Sequence, residues 1–334
     1  QTIPGGTYSD LNIDGTGTKT ASGNITVNTL LAFGTSSNSL DMSTYQLLGT
    51  PNTLNFSNSH SLSTQNISST PIPSGETWPQ GVLVIFDASA DQTIPAGSYD
   101  GAIELTGSGT KSASGNITTS GIIFDDITLD MKTFKLIPAT GGFTDLAVTG
   151  SNPTLRTAFV GSFPIPDGAT WTAFNMIFEA DGIQRVNVGT CTNLTIGGGT
   201  GFNKRKSLSR EVDISGTLTI NNDCWLESGT NNITDEYQLL GNFTVAGSGS
   251  LSTSYLDSPD RIKDPIPQGL DWSSLDQVRY ENNAERVAGG TYSKLRLNGS
   301  GNNHFTIGNV ICDELSTGNE DVEVSPGDYI IGNT

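Results

Sequence analysis

The chain has 334 residues and a net charge of −18, from 16 basic and 34 acidic side chains. Glycine, threonine, serine and asparagine number 40, 42, 36 and 27, whereas charged residues make up only 15%. This composition favours turns and strands and argues against a helical bundle or a helix-rich enzyme. The negative charge repels phosphate and anionic lipid, and no apolar run reaches the ~18 residues that span a bilayer. We therefore expect no nucleic-acid partner and no membrane insertion.

The start of the chain is predicted to be a processing or excision point. Gln1 is preceded by no initiator methionine, and no signal-peptide hydrophobic region follows it. The three cysteines have no metal-like spacing. Cys191 and Cys224 are 33 residues apart, a separation that could bring them onto neighbouring coils as a disulfide, whereas Cys312 reads as a small core residue.

Internal repeats dominate the sequence. The pattern P-I-P-x-G-x-x-W begins at Pro71, Pro164 and Pro265, and Gln1–Tyr8 matches Gln92–Tyr99. A third copy carries Cys191 in the place of Tyr8, and a fourth begins near Tyr292. The chain thus holds about three and a half copies of a unit of 91 to 101 residues, with boundaries at 1–91, 92–182, 183–284 and 285–334 (partial). A last copy that stops half way favours one continuous solenoid over 1–334.

Within each copy, apolar and polar residues alternate for four to six positions and then break at glycine, asparagine, aspartate or serine. Leu11–Ile13 and Thr217–Ile220 are examples. A period of two over such lengths predicts short half-buried strands, and glycine suits the corners between them. The sequence therefore predicts an all-β right-handed parallel β-helix, with tandem β-sandwich domains as the alternative because the repeat length is close to that of an immunoglobulin-like domain.

The run G-x-Y-x-x-L-x-I-x-G-x-G, followed by K-x-x-x-G-N-I-T, resembles repeats of long secreted surface proteins of Bacteroidetes-type bacteria. In this chain it comprises Tyr8, Leu11, Ile13, Lys19 and the residues around Asn24. The resemblance covers essentially the whole chain and implies a right-handed β-helix that serves as a surface adhesin, a stalk or filament segment, or the passenger of a secretion system. No C-terminal sorting domain of that group is recognisable in the sequence.

Residues for catalysis are few. His60 and His304 lie in different repeat copies and outside nucleophile motifs, so both are predicted to be surface or turn residues. Three clusters of acidic residues could supply the paired carboxylates of a polysaccharide lyase or hydrolase, although ordinary solvent-exposed acids in loops are the better explanation. The clusters are Asp125, Asp126 and Asp130; Asp257, Asp260 and Asp264; and Glu320, Asp321 and Glu323. We predict no enzyme, no catalytic residue and no metal site; a structural calcium ion is the one cofactor left open.

One basic cluster stands out in this acidic chain. Lys204, Arg205, Lys206 and Arg210 lie where the third copy is longer than the first. An insertion at a solenoid corner commonly carries binding residues, so the cluster predicts contact with an acidic glycan or a neighbouring chain, against the simpler interpretation of a solvated loop. Trp225 has no repeat counterpart, so it is the tryptophan most expected at the surface and a candidate ligand-binding residue, against the simpler interpretation of a core position.

The recurring aromatic residues are predicted to be structural, packing between coils: Trp78, Trp171, Trp272, Tyr8, Tyr99 and Tyr292. Together these features predict a non-enzymatic extracellular or cell-surface β-solenoid that binds a glycan, a cell-surface ligand or further copies of itself. The alternatives are a carbohydrate-active β-helix enzyme and a phage fibre or decoration protein.

Overall fold

The structure is a computed structural model of the chain. It describes residues 1–34, 36–56, 59–140, 143, 145–167, 169–198, 204–228, 237–254, 264–281, 286–298, 304–317, 322–323 and 329–331. Within these ranges the regular structure is entirely β, with no helix.

Each registered strand pair in the described residues is parallel, with partners about one coil apart in sequence. Val84, for example, pairs with Leu62 of the preceding coil and Ile103 of the following one. This confirms the predicted parallel β-solenoid. The alternative of tandem β-sandwiches is wrong, because sandwiches of that kind are built from antiparallel strands.

The chain forms two compact units, Gln1–Thr157 and Ala158–Thr334. The first unit contains β1 to β18: Thr2–Ile3, Gly6–Ile13, Gly17–Ala21, Ile25–Phe33, Asn38–Asp41, Leu47–Leu48, Thr53–Phe56, His60–Thr64, Thr77–Trp78, Val82–Phe86, Gln92–Ile94, Gly97–Leu105, Thr110–Ala113, Ile117–Phe124, Thr128–Asp130, Leu136–Pro138, Asp145–Val148 and Thr154–Thr157. Its longest sheet runs in the order β1-β3-β5-β8-β10-β12-β14-β16.

The second unit contains β19 to β34: Trp171–Phe178, Gln184–Val186, Thr190–Ile196, Arg205–Leu208, Val212–Ile214, Thr217–Ile220, Trp225–Ser228, Leu239–Leu240, Thr244–Gly247, Ser250–Thr253, Leu270–Trp272, Gln277–Tyr280, Arg286–Leu297, His304–Thr317, Val322–Glu323 and Tyr329–Ile331. Its longest sheet runs in the order β20-β22-β25-β28-β30-β31-β32-β33. Along a strand, alternate side chains point into the solenoid, so inward residues of successive coils stack as columns in the core.

The recurring tryptophans are all buried, and each pairs in register with the recurring tyrosine position of the next coil. Trp78 pairs with Tyr99 and Trp272 with Tyr292, whereas Trp171 pairs with Cys191. Three tyrosines also repeat one hydrogen bond, in which the hydroxyl donates to the carbonyl four residues earlier: Tyr8 to Pro4 (2.7 Å), Tyr99 to Pro95 (2.8 Å) and Tyr292 to Ala288 (2.5 Å). The repeat thus preserves both the tryptophan–tyrosine packing pair and the hydrogen bond of the tyrosine hydroxyl.

The repeated lysine closes a coil corner from the inside. Gly107 and Gly109 both adopt a positive φ, which glycine tolerates and other residues rarely do. The buried Lys111 then donates from Nζ to the carbonyls of Ala88 (2.6 Å) and Ser108 (3.2 Å). Burial lowers the pKa of Lys111 to about 8, although Asp87 and Asp91 act in the opposite direction. The G-x-G-x-K motif therefore encodes a corner whose carbonyls are satisfied by a lysine.

The repeated asparagine of the G-N-I-T motif ties one coil to the next. Asn24 Oδ1 accepts the backbone N–H of Gln46, and Asn116 Oδ1 accepts that of Lys135, both at 2.9 Å. These side chains replace a backbone partner where the chain turns. The recurrence of the N-I-T sequence at these positions is therefore explained by the structural role of its asparagine.

The three cysteines lie in the described part of the chain, and all are buried free thiols. Cys191 pairs in register with Ile214, whereas Cys224 lies just before the neighbouring sheet's strand β25. The predicted Cys191–Cys224 disulfide is therefore absent. Burial raises the pKa of Cys191 to about 12, with a further contribution from Asp213, so its thiol is held in the protonated form.

Candidate functional site

The basic cluster predicted as a single exposed loop is divided by the fold. Arg205–Leu208 is strand β22, so neighbouring side chains point to opposite faces. Arg205 is exposed, with 59% of its side chain accessible, whereas Lys206 is fully buried. The prediction that Lys206 contacts an external ligand is wrong for this reason.

Lys206 occupies the position of Lys111 in its own copy of the repeat. Its Nζ donates to the carbonyls of Ala180 (2.7 Å) and Gly182 (3.1 Å), and burial lowers its pKa. Gln184, its register partner, accepts the N–H of Ala180 through Oε1. Lys206 is therefore part of a coil corner.

The two remaining basic residues of the cluster lie near acidic side chains. Lys204 is largely covered and lies 3.8 Å from Asp223, and Arg210 Nη1 is 3.2 Å from Asp167 Oδ1. Arg210 lines a cleft of about 500 Å³ together with Gly189, Thr190, Glu211, Asp213, Tyr237 and Leu240. Because the cleft carries acids as well as Arg210, it does not form a uniformly basic site.

Arg205 and Trp225 are brought together, since they are register partners on β22 and β25. They belong to a surface that we call the basic face. It consists of two outward rows of the long sheet in the second unit, flanking the inward column that contains Lys206, Leu226 and Leu251. The first row is Ile183, Arg205, Trp225, Ser250, Gln277, Lys294 and Glu314; the second is Arg185, Ser207, Glu227, Ser252, Arg279, Arg296 and Ser316.

At the centre of the basic face, Arg279 lies over the ring of Trp225. The guanidinium carbon is 5.3 Å from the ring centroid, within the range of a cation–π interaction. The strand between them carries Ser250 and Ser252, whose small side chains are covered although they point outward. Arg279 Nε also lies 2.9 Å from Glu281 Oε1, an ion pair that lacks hydrogen-bond geometry.

A second arginine follows immediately. Arg279 and Arg296 are register partners on β30 and β31, so two like charges stand on neighbouring strands of the same face. The Nε atom of Arg296 is buried without a hydrogen-bond partner, and within the described residues Arg296 has no ion pair. Like charges placed directly opposite each other destabilise a sheet, so this pair is unusual on purely structural grounds.

The basic face reverses the charge of the chain. Its two rows hold five basic residues against the acids Glu227 and Glu314, while the whole chain has a net charge of −18. Glu227 is engaged locally, because it pairs with Arg205 and accepts a hydrogen bond from Ser207 (2.9 Å). The arrangement combines an aromatic ring, guanidinium groups, hydroxyls and an amide on one surface.

Sequence reasoning found Arg205 and Trp225 but missed Arg185, Arg279, Lys294 and Arg296. These four come from three coils, with Lys294 and Arg296 on the same strand, and they share no motif. The sequence signal was the alternation around the arginines, as in Val278-Arg279-Tyr280 and Leu295-Arg296-Leu297, which indicates that these arginines point outward between buried neighbours.

The first acid cluster serves backbone turns. Asp126 Oδ1 accepts the N–H groups of Ser151 (2.5 Å) and Asn152 (2.7 Å), and Asp130 Oδ1 accepts that of Lys132 (2.8 Å). A different carboxyl, Glu104, has its pKa raised by burial and further by Asp87 and Asp125. Within the described residues, no group of three or more histidines, cysteines or acids forms a metal site.

The other acid clusters are only partly described. Asp264 Oδ2 accepts a hydrogen bond from Gln268 (2.5 Å), and its Oδ1 lies 3.4 Å from Arg286 Nε. Asp257, Asp260, Glu320 and Asp321 lie outside the described residues, and of Glu323 only the backbone in β33 is described.

His60 was predicted at the surface or in a turn, but it is buried in strand β8. Its ring lies 5.0 Å from that of Phe33, and its Nδ1 accepts the N–H of Asn38 (3.3 Å). Burial lowers its pKa, so the neutral ring is favoured. His304 lies in strand β32, of which the backbone is described at this position.

Comparison of the chain with protein-family models, with curated proteins and with solved structures gave no match. Across the described ranges, none of the structure is a helix of the length and apolar character needed to cross a membrane.

Proposed function

We propose that this protein is a non-enzymatic extracellular β-solenoid, a structural and adhesive segment at a cell surface, and that it binds a glycan on the basic face. The observation that carries the proposal is the pairing of Trp225 with Arg279 on the basic face. The composition of the chain and its tandem repeats support the structural part of the proposal.

The chemistry of the basic face suits a sugar. A sugar ring presents apolar C–H groups that pack on an aromatic face, and its hydroxyls need hydrogen-bond partners at the ring edge. Trp225 offers the part of its ring that Arg279 does not cover, while Ser207, Gln277 and Arg279 offer donors and acceptors around it. A flat sheet surface also leaves the ends of a long polymer free to extend beyond the site.

The solenoid supplies a surface that is formed before the ligand arrives. Trp225 and Arg279 stand on strands whose backbone groups are paired with neighbouring coils on both sides. Residues fixed in this way lose little freedom on binding, which favours affinity from a small contact area.

The test is glycan binding by the full chain, measured on an array and then by calorimetry. Trp225→Ala should weaken binding about tenfold, because an aromatic contact contributes on the order of 0.5–1.5 kcal/mol beyond the area that it buries, and about 1.4 kcal/mol is tenfold. Ile67→Ala is the matched control, since Ile67 is an exposed apolar residue of the first unit. The glycan should be recovered at unchanged length after incubation. Absence of glycan binding, or cleavage of the bound glycan, would contradict the proposal.

A further inference from the structure

We propose that the ligand of the basic face is an acidic glycan whose carboxylate or sulfate groups bind between Arg279 and Arg296 while a neighbouring sugar ring packs on Trp225. This inference rests on the proposed function and specifies the ligand class.

The first argument is that two arginines occupy adjacent positions and only one of them has an acid partner. Arg279 and Arg296 are register partners on neighbouring strands about 4.8 Å apart, an arrangement of like charges that is unfavourable in a sheet. Glu281 contacts Arg279 at 2.9 Å, yet within the described residues no acid pairs with Arg296. An anion placed between the two guanidinium groups would convert repulsion into two charge-assisted hydrogen-bonding contacts.

The second argument is that Arg279 is held in position. Contacts with the Trp225 ring and with Glu281 restrict the guanidinium before any ligand binds. Arg296 lies between the buried residues Leu295 and Leu297, which fix its strand, and its Nε atom is buried without a partner. A buried donor of this kind costs free energy until it receives an acceptor.

The third argument is the spacing of the contacts. Trp225 and Arg296 are separated by three strand steps, from β25 through β28 and β30 to β31. At about 4.8 Å per step this is roughly 14 Å, and Arg205 extends the row by one further step. A single sugar cannot span these contacts, whereas an oligosaccharide that crosses the strands can place a ring at one end and a charge at the other.

The aromatic content of the basic face favours a glycan over a nucleic acid. The basic face has one aromatic ring and no series of stacking residues, so it lacks the platform that single-stranded nucleic acids use.

The experiment compares two oligosaccharides of the same backbone and length, oligogalacturonate and its fully methyl-esterified form, by calorimetry with the full chain. A sulfated oligosaccharide and a single-stranded oligonucleotide are tested in parallel. We expect the acidic form, or the sulfated one, to bind at least tenfold more tightly than the esterified form. Increasing salt should weaken the acidic interaction selectively. The tighter of the two anionic ligands identifies the source of the negative charge.

Variants separate the two parts of the site. Arg296→Gln should weaken binding of the acidic oligosaccharide about tenfold and leave binding of the esterified form unchanged, whereas Trp225→Ala should weaken both. Arg156→Gln, at an exposed arginine of the first unit, is the charge-matched control, and circular dichroism verifies that each variant is folded. Equal affinity for the acidic and esterified forms would overturn this inference and leave the proposed function standing. Binding of neither form, nor of the sulfated glycan, would overturn both, and tighter binding of the oligonucleotide would overturn the choice of a glycan.

Discussion

Arg279 and Trp225, two coils apart, are in cation–π contact, with 5.3 Å between the guanidinium carbon and the ring centroid. The contact crosses a strand that carries only serines on this face, so nothing else fills the space between the two side chains. It orients both residues at the surface without burying either completely.

This contact predicts how tryptophan fluorescence responds to a quencher. Trp78, Trp171 and Trp272 are at most 1% exposed, so acrylamide should act almost entirely on Trp225. Arg279→Ala removes the cover from the Trp225 ring and should increase quenching, whereas Arg156→Ala should not. An unchanged quenching constant in Arg279→Ala would show that the two side chains are not in contact in solution.

The repeated tyrosine hydrogen bond predicts a stability difference between equivalent positions. Tyr99→Phe removes a buried bond to Pro95 and should cost about 1 kcal/mol, seen as a lower urea midpoint. Tyr8→Phe removes the same bond where water can replace the hydroxyl, so its cost should be smaller. Equal losses in the two variants would argue against burial as the reason.

The buried lysine of the G-x-G-x-K corner predicts a pH dependence. The pKa of Lys111 is about 8 in the folded chain and is higher in the unfolded chain, where its ordinary value is 10.5. Between these values the unfolded chain binds more protons, so the contribution of Lys111 to stability rises with pH. The melting temperature of the wild type minus that of Lys111→Met should therefore increase from pH 7.5 to pH 10.

Lys132→Met is the control for this series, because Lys132 is exposed and its loss should give no such trend. A difference between wild type and Lys111→Met that stays flat or shrinks as pH rises would contradict the assignment of a lowered pKa to Lys111.

The free thiols predict a simple titration. All three cysteines are buried, so a thiol reagent should label none of them rapidly in the native chain. In denaturant without reductant, the reagent should label three thiols per chain. A count of one would mean that two of the cysteines are bridged.

The fold was predictable because the sequence repeats its structural devices. The P-I-P-x-G-x-x-W pattern and the recurring tyrosine describe a packing pair, and the G-x-G-x-K run describes a corner. Alignment of Lys206 with Lys111 would also have placed Lys206 inside the solenoid. Local clustering of positive charge concealed this, since it suggested a loop where the chain forms strand β22.

The basic face was only half predictable. Its rows depend on which residues of successive coils lie side by side, and that register is set by corners of variable length. Arg279 and Arg296 are 17 positions apart in sequence, whereas Trp225 and Arg279 are 54 apart, with no shared spacing to mark them as one site. The arginine pair became visible only when the strands were aligned in space.

Hydroxyl-radical footprinting with an acidic oligosaccharide tests the central claim most directly, because it reports side-chain accessibility at single residues. Trp225 should be oxidised in the free protein and protected at saturating ligand, while the buried Trp78, Trp171 and Trp272 remain unreactive in both states. Binding of the oligosaccharide with no change in the oxidation of Trp225 would contradict the assignment of the basic face as the glycan site.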